Sequence, residues 1–278
     1  MSQSIGQSIA LAAPTLRAGR LPWPRARLRR YASVLVLLLI WESLSRLGVI
    51  SPRTIAAPSA ILASAWTLTI TGELPANLLV SLARVATGFV IGASIGGALA
   101  VVAGLSRLGE DIVDAPMQML RTLPFLALVP LFILWFGIGE LPKIALVTLG
   151  ASFPVYLNLF AGIRGVDPKL IEAGRVFGLS RLAMVRRVIL PGALPSLLVG
   201  LRYALGVSWL SLVVAEQINA TAGIGYLIDD ARDFLRTDVI VVGLLVYALL
   251  GLGADALIRG VERRTLRWRP SLVAGAAR

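Results

Sequence analysis

Cysteine and histidine are both absent from this chain of 278 residues. Their absence removes disulfide staples, thiol nucleophiles, most zinc and haem ligation, and histidine proton relays. Charge is scarce too: Asp, Glu, Lys and Arg make up 15% of the residues against 57% hydrophobic ones, and mean hydropathy is +0.82. Soluble domains carry about 25% charged residues, so this composition is that of an integral membrane protein. The two lysines, Lys143 and Lys169, each follow a proline rather than a glycine-rich loop, so no phosphate-cradling Walker A sequence is present. Any ATP is therefore hydrolysed on another subunit. A net charge of +12 would suit nucleic acid if the basic residues gathered on a soluble surface. Here the arginines flank apolar spans instead, and no nucleic-acid partner is expected.

What is present is a series of apolar runs. A bilayer core of about 30 Å needs about 20 apolar residues per helix, and six segments qualify: about 31–47, 78–104, 117–137, 144–163, 192–215 and 239–258. The chain reads as all-α and polytopic, with a basic N-terminal tail over 1–30, a transmembrane domain over 31–260 and a basic C-terminal tail over 261–278. The fourth run is uncharged from Ile144 through Ile163. In the first, Glu42 intrudes at a cost of about 2.5 to 3.5 kcal/mol at mid-depth, roughly offset by the Val, Leu and Ile run from Val34 to Ile40. Its place near the far end of the run, beside the interfacial anchor Trp41, makes insertion the better reading.

Orientation follows from the arginines. A cytoplasmic N-terminus puts Arg17, Arg20, Arg25, Arg27, Arg29 and Arg30 inside, together with the loop over 164–191 and the tail from Arg259 to Arg269. Glu73, Glu140, Glu216, Asp229, Asp230, Asp233 and Asp238 then lie outside, with Arg46, Arg53, Lys143, Arg232 and Arg236 among them. In the second run Gly88, Gly92, Gly96, Ala100 and Gly104 recur every four residues, a small-residue ridge that lets helix backbones approach closely. Pro124 and Pro130 interrupt the third run and predict a kink. The segment from Pro58 to about Ile70 sets Ile61, Leu62, Ala65, Trp66 and Thr69 on one face, as either an interfacial amphipathic helix or a packed loop helix would.

The loop over 164–191 has the grammar of a helical hairpin. Asp167 can cap a helix whose first residue is Pro168, Gly178 suits the left-handed residue that closes it near Phe177, and Ser180 can cap a second helix that Pro191 ends. On the first helix Leu170, Ala173, Gly174 and Phe177 recur at three- and four-residue spacing, an apolar face with a small-residue dent that fits a groove on a partner. A generic amphipathic hairpin is the plainer alternative.

Glu172-Ala173-Gly174, Gly178 and Leu190-Pro191 resemble the EAA loop of ATP-binding-cassette importer permeases, with Gly174 in place of the usual second Ala and Val188 in place of the distal Ile. The run Gln118 to Pro124, the segment Trp135 to Gly139, the stretch Leu190 to Ser196, and Ala215-Glu216 followed by Gly223 to Tyr226 resemble aliphatic sulfonate permeases, with taurine and nitrate permeases as near relatives. The resemblance implies the type I importer (MetI-like) fold in the cell inner membrane. It also implies a pathway formed by two permease copies, two ATPase subunits that bind ATP and Mg, and an outer solute-binding protein that delivers cargo. By the same resemblance the hairpin is the ATPase-coupling element, through Leu170, Glu172, Ala173, Gly174, Phe177, Gly178, Leu190 and Pro191. No cofactor is expected on this chain.

Five further charges need explaining. Arg202 falls about halfway along the fifth run and Arg121 opens the third, so both are candidates to line a path for an anionic cargo, against the alternative that they snorkel or pair with a carboxylate. Glu216 is either a gate residue or a helix-end carboxylate, and Asp255 and Arg259, four residues apart, read as a local helical pair. An ion-coupled secondary transporter would show inverted repeats and mid-membrane carboxylates, and an intramembrane enzyme a constellation of catalytic polar residues. Neither pattern is visible.

Overall fold

A computed structural model describes residues 23–266 of the chain, and every regular element among them is a helix. The basic residues Arg17, Arg20 and Arg269, with most of both expected tails, lie outside the described residues. The described residues divide into two units between Ile50 and Ser51. In the first, α1 (Trp23–Arg46) contains the first expected span. Its Val34 to Ile40 side chains are exposed, and Glu42 pairs with Arg46 one turn on at 2.7 Å, which softens the insertion cost of that carboxylate.

The second unit comprises α2 (Pro58–Ile70), α3 (Glu73–Leu105), α4 (Arg107–Thr122), α5 (Phe125–Phe136), α6 (Glu140–Arg164), α7 (Pro168–Val176), α8 (Arg181–Met184), α9 (Leu190–Glu216), α10 (Ile224–Asp233) and α11 (Thr237–Thr265). Helix α6 is its centre. Half of its apolar window is buried, against 17% for α11, and it packs most extensively against α3 and α9. The α3–α6 contact is the small-residue ridge realised. A Cβ on Gly88 would stand 2.7 Å from Val147, one on Gly104 would stand 2.7 Å from Ile163, and those on Gly92 and Gly96 would strike the backbone carbonyls of Thr148 and Ser152. Ala100 is fully buried in the same seam, in a cluster with Phe153, Tyr156 and Leu159.

Four helices, α3, α6, α11 and the continuous run Arg181–Glu216, are each long and apolar enough to cross a membrane, and α4 with α5 makes a fifth candidate as a bent pair. This corrects the third span, expected as one kinked helix over 117–137. The chain breaks at Leu123-Pro124 and the two helices meet at 113°. Leu123 is extended, as the residue before a proline prefers, and Pro124 becomes the N-cap of α5. Helix α4 is tied to α6 by Asp114, which accepts from the Tyr156 hydroxyl at 2.9 Å, and by the Glu110–Arg164 ion pair.

Pro191 gives a second correction. It was expected to end a helix, yet it lies in the first turn of α9, and α8, a π-helical segment Val185–Ile189 and α9 run on as one helix. The widened turn is the reason. The Leu190 amide donates to the Val185 carbonyl five residues back, so the ring at Pro191 is admitted where an ordinary ladder would clash. Helix α2 runs over the expected Pro58–Ile70. It buries Ile61 and Leu68, leaves Leu62 and Trp66 exposed, and is pinned to α11 by a Ser64–Asp238 hydrogen bond.

Candidate functional site

At the end of the second unit where α6 begins and α9 ends, five helices converge on one buried guanidinium. Arg84 of α3 and Glu216 of α9 have side chains only 3% and 0% exposed, and Arg84 Nη1 donates to Glu216 Oε1 at 2.6 Å. The opposite edge of the guanidinium forks onto Glu140 of α6, with Nε to Oε2 at 2.5 Å and Nη2 to Oε1 at 2.6 Å, the bidentate geometry that only arginine offers. Nη1 also reaches the Ala222 carbonyl at 2.7 Å. Four guanidinium N–H bonds thus have an acceptor.

Glu216 is equally well held. Its oxygens accept from Ser81 Oγ at 2.8 and 2.9 Å, from the Gly225 amide at 2.9 Å and from the Tyr247 hydroxyl at 2.9 Å. Ser81 in turn accepts from the Ile224 amide at 2.9 Å, and Asn77 from the Gly223 amide at 2.8 Å. The local backbone is shaped to let this happen. Gly223 has φ +113°, and a Cβ there would lie 2.5 Å from Glu216 Oε1 and 2.6 Å from Arg84 Nη1. Burying two charges is tolerable only when each is paired and its remaining hydrogen-bonding capacity is filled. Here the two charges are paired, and Glu216 and most of the Arg84 donors are further hydrogen-bonded.

Glu216 stands out in the sequence, whereas Arg84 sits unmarked inside an apolar run. Its carboxylate partners are 56 and 132 residues away in the chain, so no local spacing announces them. The sole signal was the depth of an unexplained arginine within the second run. The other two pathway candidates lie elsewhere. Arg202 pairs with Asp255 of α11 at 3.0 Å, and Asp255 also holds Arg259. Arg121 is exposed in the last turn of α4, next to the break before α5. The structure thus does not bring Arg121, Arg202 and Glu216 together, and Glu216 is sealed rather than open to a path.

At the other end of α6 lies the hairpin. Asp167 caps α7 by accepting from the Lys169 amide at 2.9 Å, Gly178 takes φ +74°, and Ser180 caps α8 by accepting from the Ala183 amide at 3.3 Å. Gly174 does not share an outward face with Phe177. It is buried against its own hairpin, where a Cβ would lie 2.7 Å from Met184 Cε, because the close approach of the two short helices needs a residue without a side chain at that point. Val176 and Phe177, by contrast, are 82% and 84% exposed. Leu170, Glu172, Ala173 and Gly178 are exposed as well, and Leu190 and Pro191 lie at the exposed start of α9.

Comparison with known proteins agrees with an apolar helical membrane fold. Residues 88–267 match the family described as binding-protein-dependent transport system inner membrane component. The chain belongs to this family. It is an importer permease of the ATP-binding-cassette class. It is 49% identical over 235 residues to the putative aliphatic sulfonates transport permease protein SsuC of Escherichia coli (strain K12), covering 84% of this chain and 89% of that protein. It is 35% identical to the taurine transport system permease protein TauC of the same organism, over 88% of this chain and 92% of the relative. A solved amino acid ABC transporter shares the fold at a TM-score of 0.57 and 20% identity, over 71% of this chain and 96% of that one.

Proposed function

We propose that this permease carries aliphatic sulfonates. The observation that carries the reading is 49% identity, spread over nearly the whole of both chains, to the Escherichia coli protein whose name specifies that cargo. Identity to the taurine relative is 35%, and to a nitrate import permease of Leptolyngbya laminosa 32% over 67% of the chain. Taurine, itself a sulfonate, is the second reading.

In this proposal two identical copies form the pathway on a two-fold axis in the inner membrane. Two ATPase subunits bind ATP and Mg, and an outer solute-binding protein delivers the cargo. The basic hairpin faces the cytoplasm with both termini, and the Arg84 end faces outward, as the positive-inside rule favours. Phe177 and Val176, with Leu170 and Glu172 alongside, form the surface that seats in each ATPase, while Gly174, Gly178, Leu190 and Pro191 set the shape of the hairpin. ATP-driven closure of the ATPases then rocks the helices between inward and outward states. Cargo shifts that balance only through contacts that differ between the two states.

Deletion of the gene should abolish growth on alkanesulfonates as sole sulfur source while growth on sulfate persists. Unchanged growth on alkanesulfonates, together with lost growth on taurine alone, would transfer the assignment to taurine.

A further inference from the structure

Glu73 opens α3 and Arg236 immediately precedes α11, two helices long and apolar enough to cross a membrane, and both residues line one hollow against α2. The hollow has about 330 Å³ of room and is partly open to solvent, a size within the range of about 300 to 1,000 Å³ common to ligand sites. Helix α2 supplies one wall through Ala63, Thr67 and Thr71. Thr67 and Thr71 donate their hydroxyls to the Ala63 and Leu68 carbonyls at 3.0 and 3.3 Å, so toward the hollow they offer acceptors. The neighbouring acids are engaged, Asp229 and Asp233 with Arg232 and Asp238 with Ser64. Arg236 and Glu73 make no ion pair among the described residues. The hollow is therefore walled by one free cation and one free carboxylate.

Its depth identifies its surroundings. The first residues of two membrane-crossing helices stand where hydrocarbon gives way to headgroups. On α2 a stripe of large apolar side chains spaced four residues apart, Leu62, Trp66 and Ile70, is exposed, about 100° round the helix from Ala63, Thr67 and Thr71, and tryptophan is at home at that level. We infer that this hollow binds the headgroup of a zwitterionic aminophospholipid, with the phosphate on Arg236, the ammonium on Glu73 and the threonine oxygens, and the acyl chains along Leu62 and Trp66. The charges select the headgroup. An anionic lipid satisfies Arg236 but leaves Glu73 facing a negative charge, and a trimethylated amine has no N–H to donate to the carboxylate. The proposal is independent of the cargo reading, and in the orientation proposed above the leaflet is the outer one.

The test places the permease–ATPase complex in nanodiscs of equal parts phosphatidylethanolamine and phosphatidylglycerol, releases it in mild detergent and counts the retained lipids by native mass spectrometry. Each permease copy should retain phosphatidylethanolamine in preference to phosphatidylglycerol, and phosphatidylcholine supplied instead should be retained less. Arg236→Gln should lower phosphatidylethanolamine retention about fivefold, the weight of one cation at a membrane surface. Glu73→Gln should lower phosphatidylethanolamine and raise phosphatidylglycerol, a reversal that general loss of lipid does not produce. Ala63→Trp, which fills the hollow and leaves both charges, should lower the two lipids together. All three side chains are exposed, so the melting temperature should not move. Equal retention of the two lipids by the unaltered complex would overturn the proposal, as would phosphatidylethanolamine retention unchanged in both charge variants. Soluble glycerophosphoethanolamine should fail to displace the lipid at equal concentration; displacement would make this a site for the free headgroup compound and overturn the lipid assignment.

Discussion

Arg84 and Glu216, 132 residues apart in sequence, meet at 2.6 Å with neither side chain exposed by more than 3%. This pair joins α3 to α9 at one end of the bundle, and its satellites add α6, α10 and α11. Removing Arg84 strands Glu216 in a dry interior, a loss of about 3 to 5 kcal/mol, whereas removing Glu216 leaves Arg84 on Glu140. Arg84→Met should therefore lower the melting temperature of the detergent-solubilised protein sharply, and Glu216→Gln should lower it less. The double variant should be more stable than the sum of the two losses, since Glu140, 52% exposed, can then turn to water. Strict additivity of the two losses would show that the pair is not coupled.

The small-residue ridge makes a sharper prediction because two neighbouring glycines differ. A methyl group at Gly96 runs into the Ser152 carbonyl, which is backbone and cannot step aside, whereas one at Gly97 meets only Val155 Cγ1 at 4.0 Å. Gly96→Ala should therefore cost about 1 to 3 kcal/mol through overpacking and reduce the yield of folded protein. Gly97→Ala should be neutral or slightly stabilising, as Gly to Ala is within a helix. Equal behaviour in a thermal unfolding assay would contradict the close approach of α3 and α6.

Within the hairpin, shape and docking should separate. Gly174→Leu pushes into Met184 and Leu179 and should disorder the hairpin, seen as faster protease cleavage near Arg181. Phe177→Ala leaves that packing alone, so cleavage should stay slow while co-purification of the ATPase falls. Glu172→Lys should insert normally but uncouple ATP hydrolysis from uptake. Normal coupling in that last variant would remove Glu172 from the docking surface.

Arg202 offers a test of partner against pathway. If its role is to hold Asp255 and so join α9 to α11, then Arg202→Met, Asp255→Asn and the double variant should lower uptake to the same extent. A deeper loss in Arg202→Met and in the double variant than in Asp255→Asn would place the arginine on the cargo route instead.

The features legible in sequence were those whose physics is local. Asp167, Gly178 and Ser180 cap and turn within three residues of their targets, and the four-residue repeat of the ridge is set by the helical period itself, so each was readable as written. The break at Leu123-Pro124 was not, because hydropathy runs through it unchanged and a proline alone does not distinguish a kink from a 113° corner. Pro191 misled for the converse reason: whether a proline stops a helix depends on the turn before it, and the π-type Val185–Leu190 hydrogen bond leaves no compositional trace. Gly174 was assigned to the right helix and the wrong side, since spacing fixes which residues share a stripe but not whether that stripe turns toward a sister helix or outward. Arg84 acquires meaning only when distant segments are brought together, through Glu140 and Glu216.

The uninterrupted run from Arg181 to Glu216 has a mechanical meaning. Thirty-six residues of helix make a rod about 54 Å long, with the hairpin at one tip and the sealed carboxylate of Glu216 at the other. The proline at 191 is absorbed by a wider turn, so the hairpin and α9 are joined by continuous helix and not by a loop. The lever ends inside the charge cluster, so under the proposed docking a tilt imposed on the hairpin would arrive at the far tip as strain on Arg84.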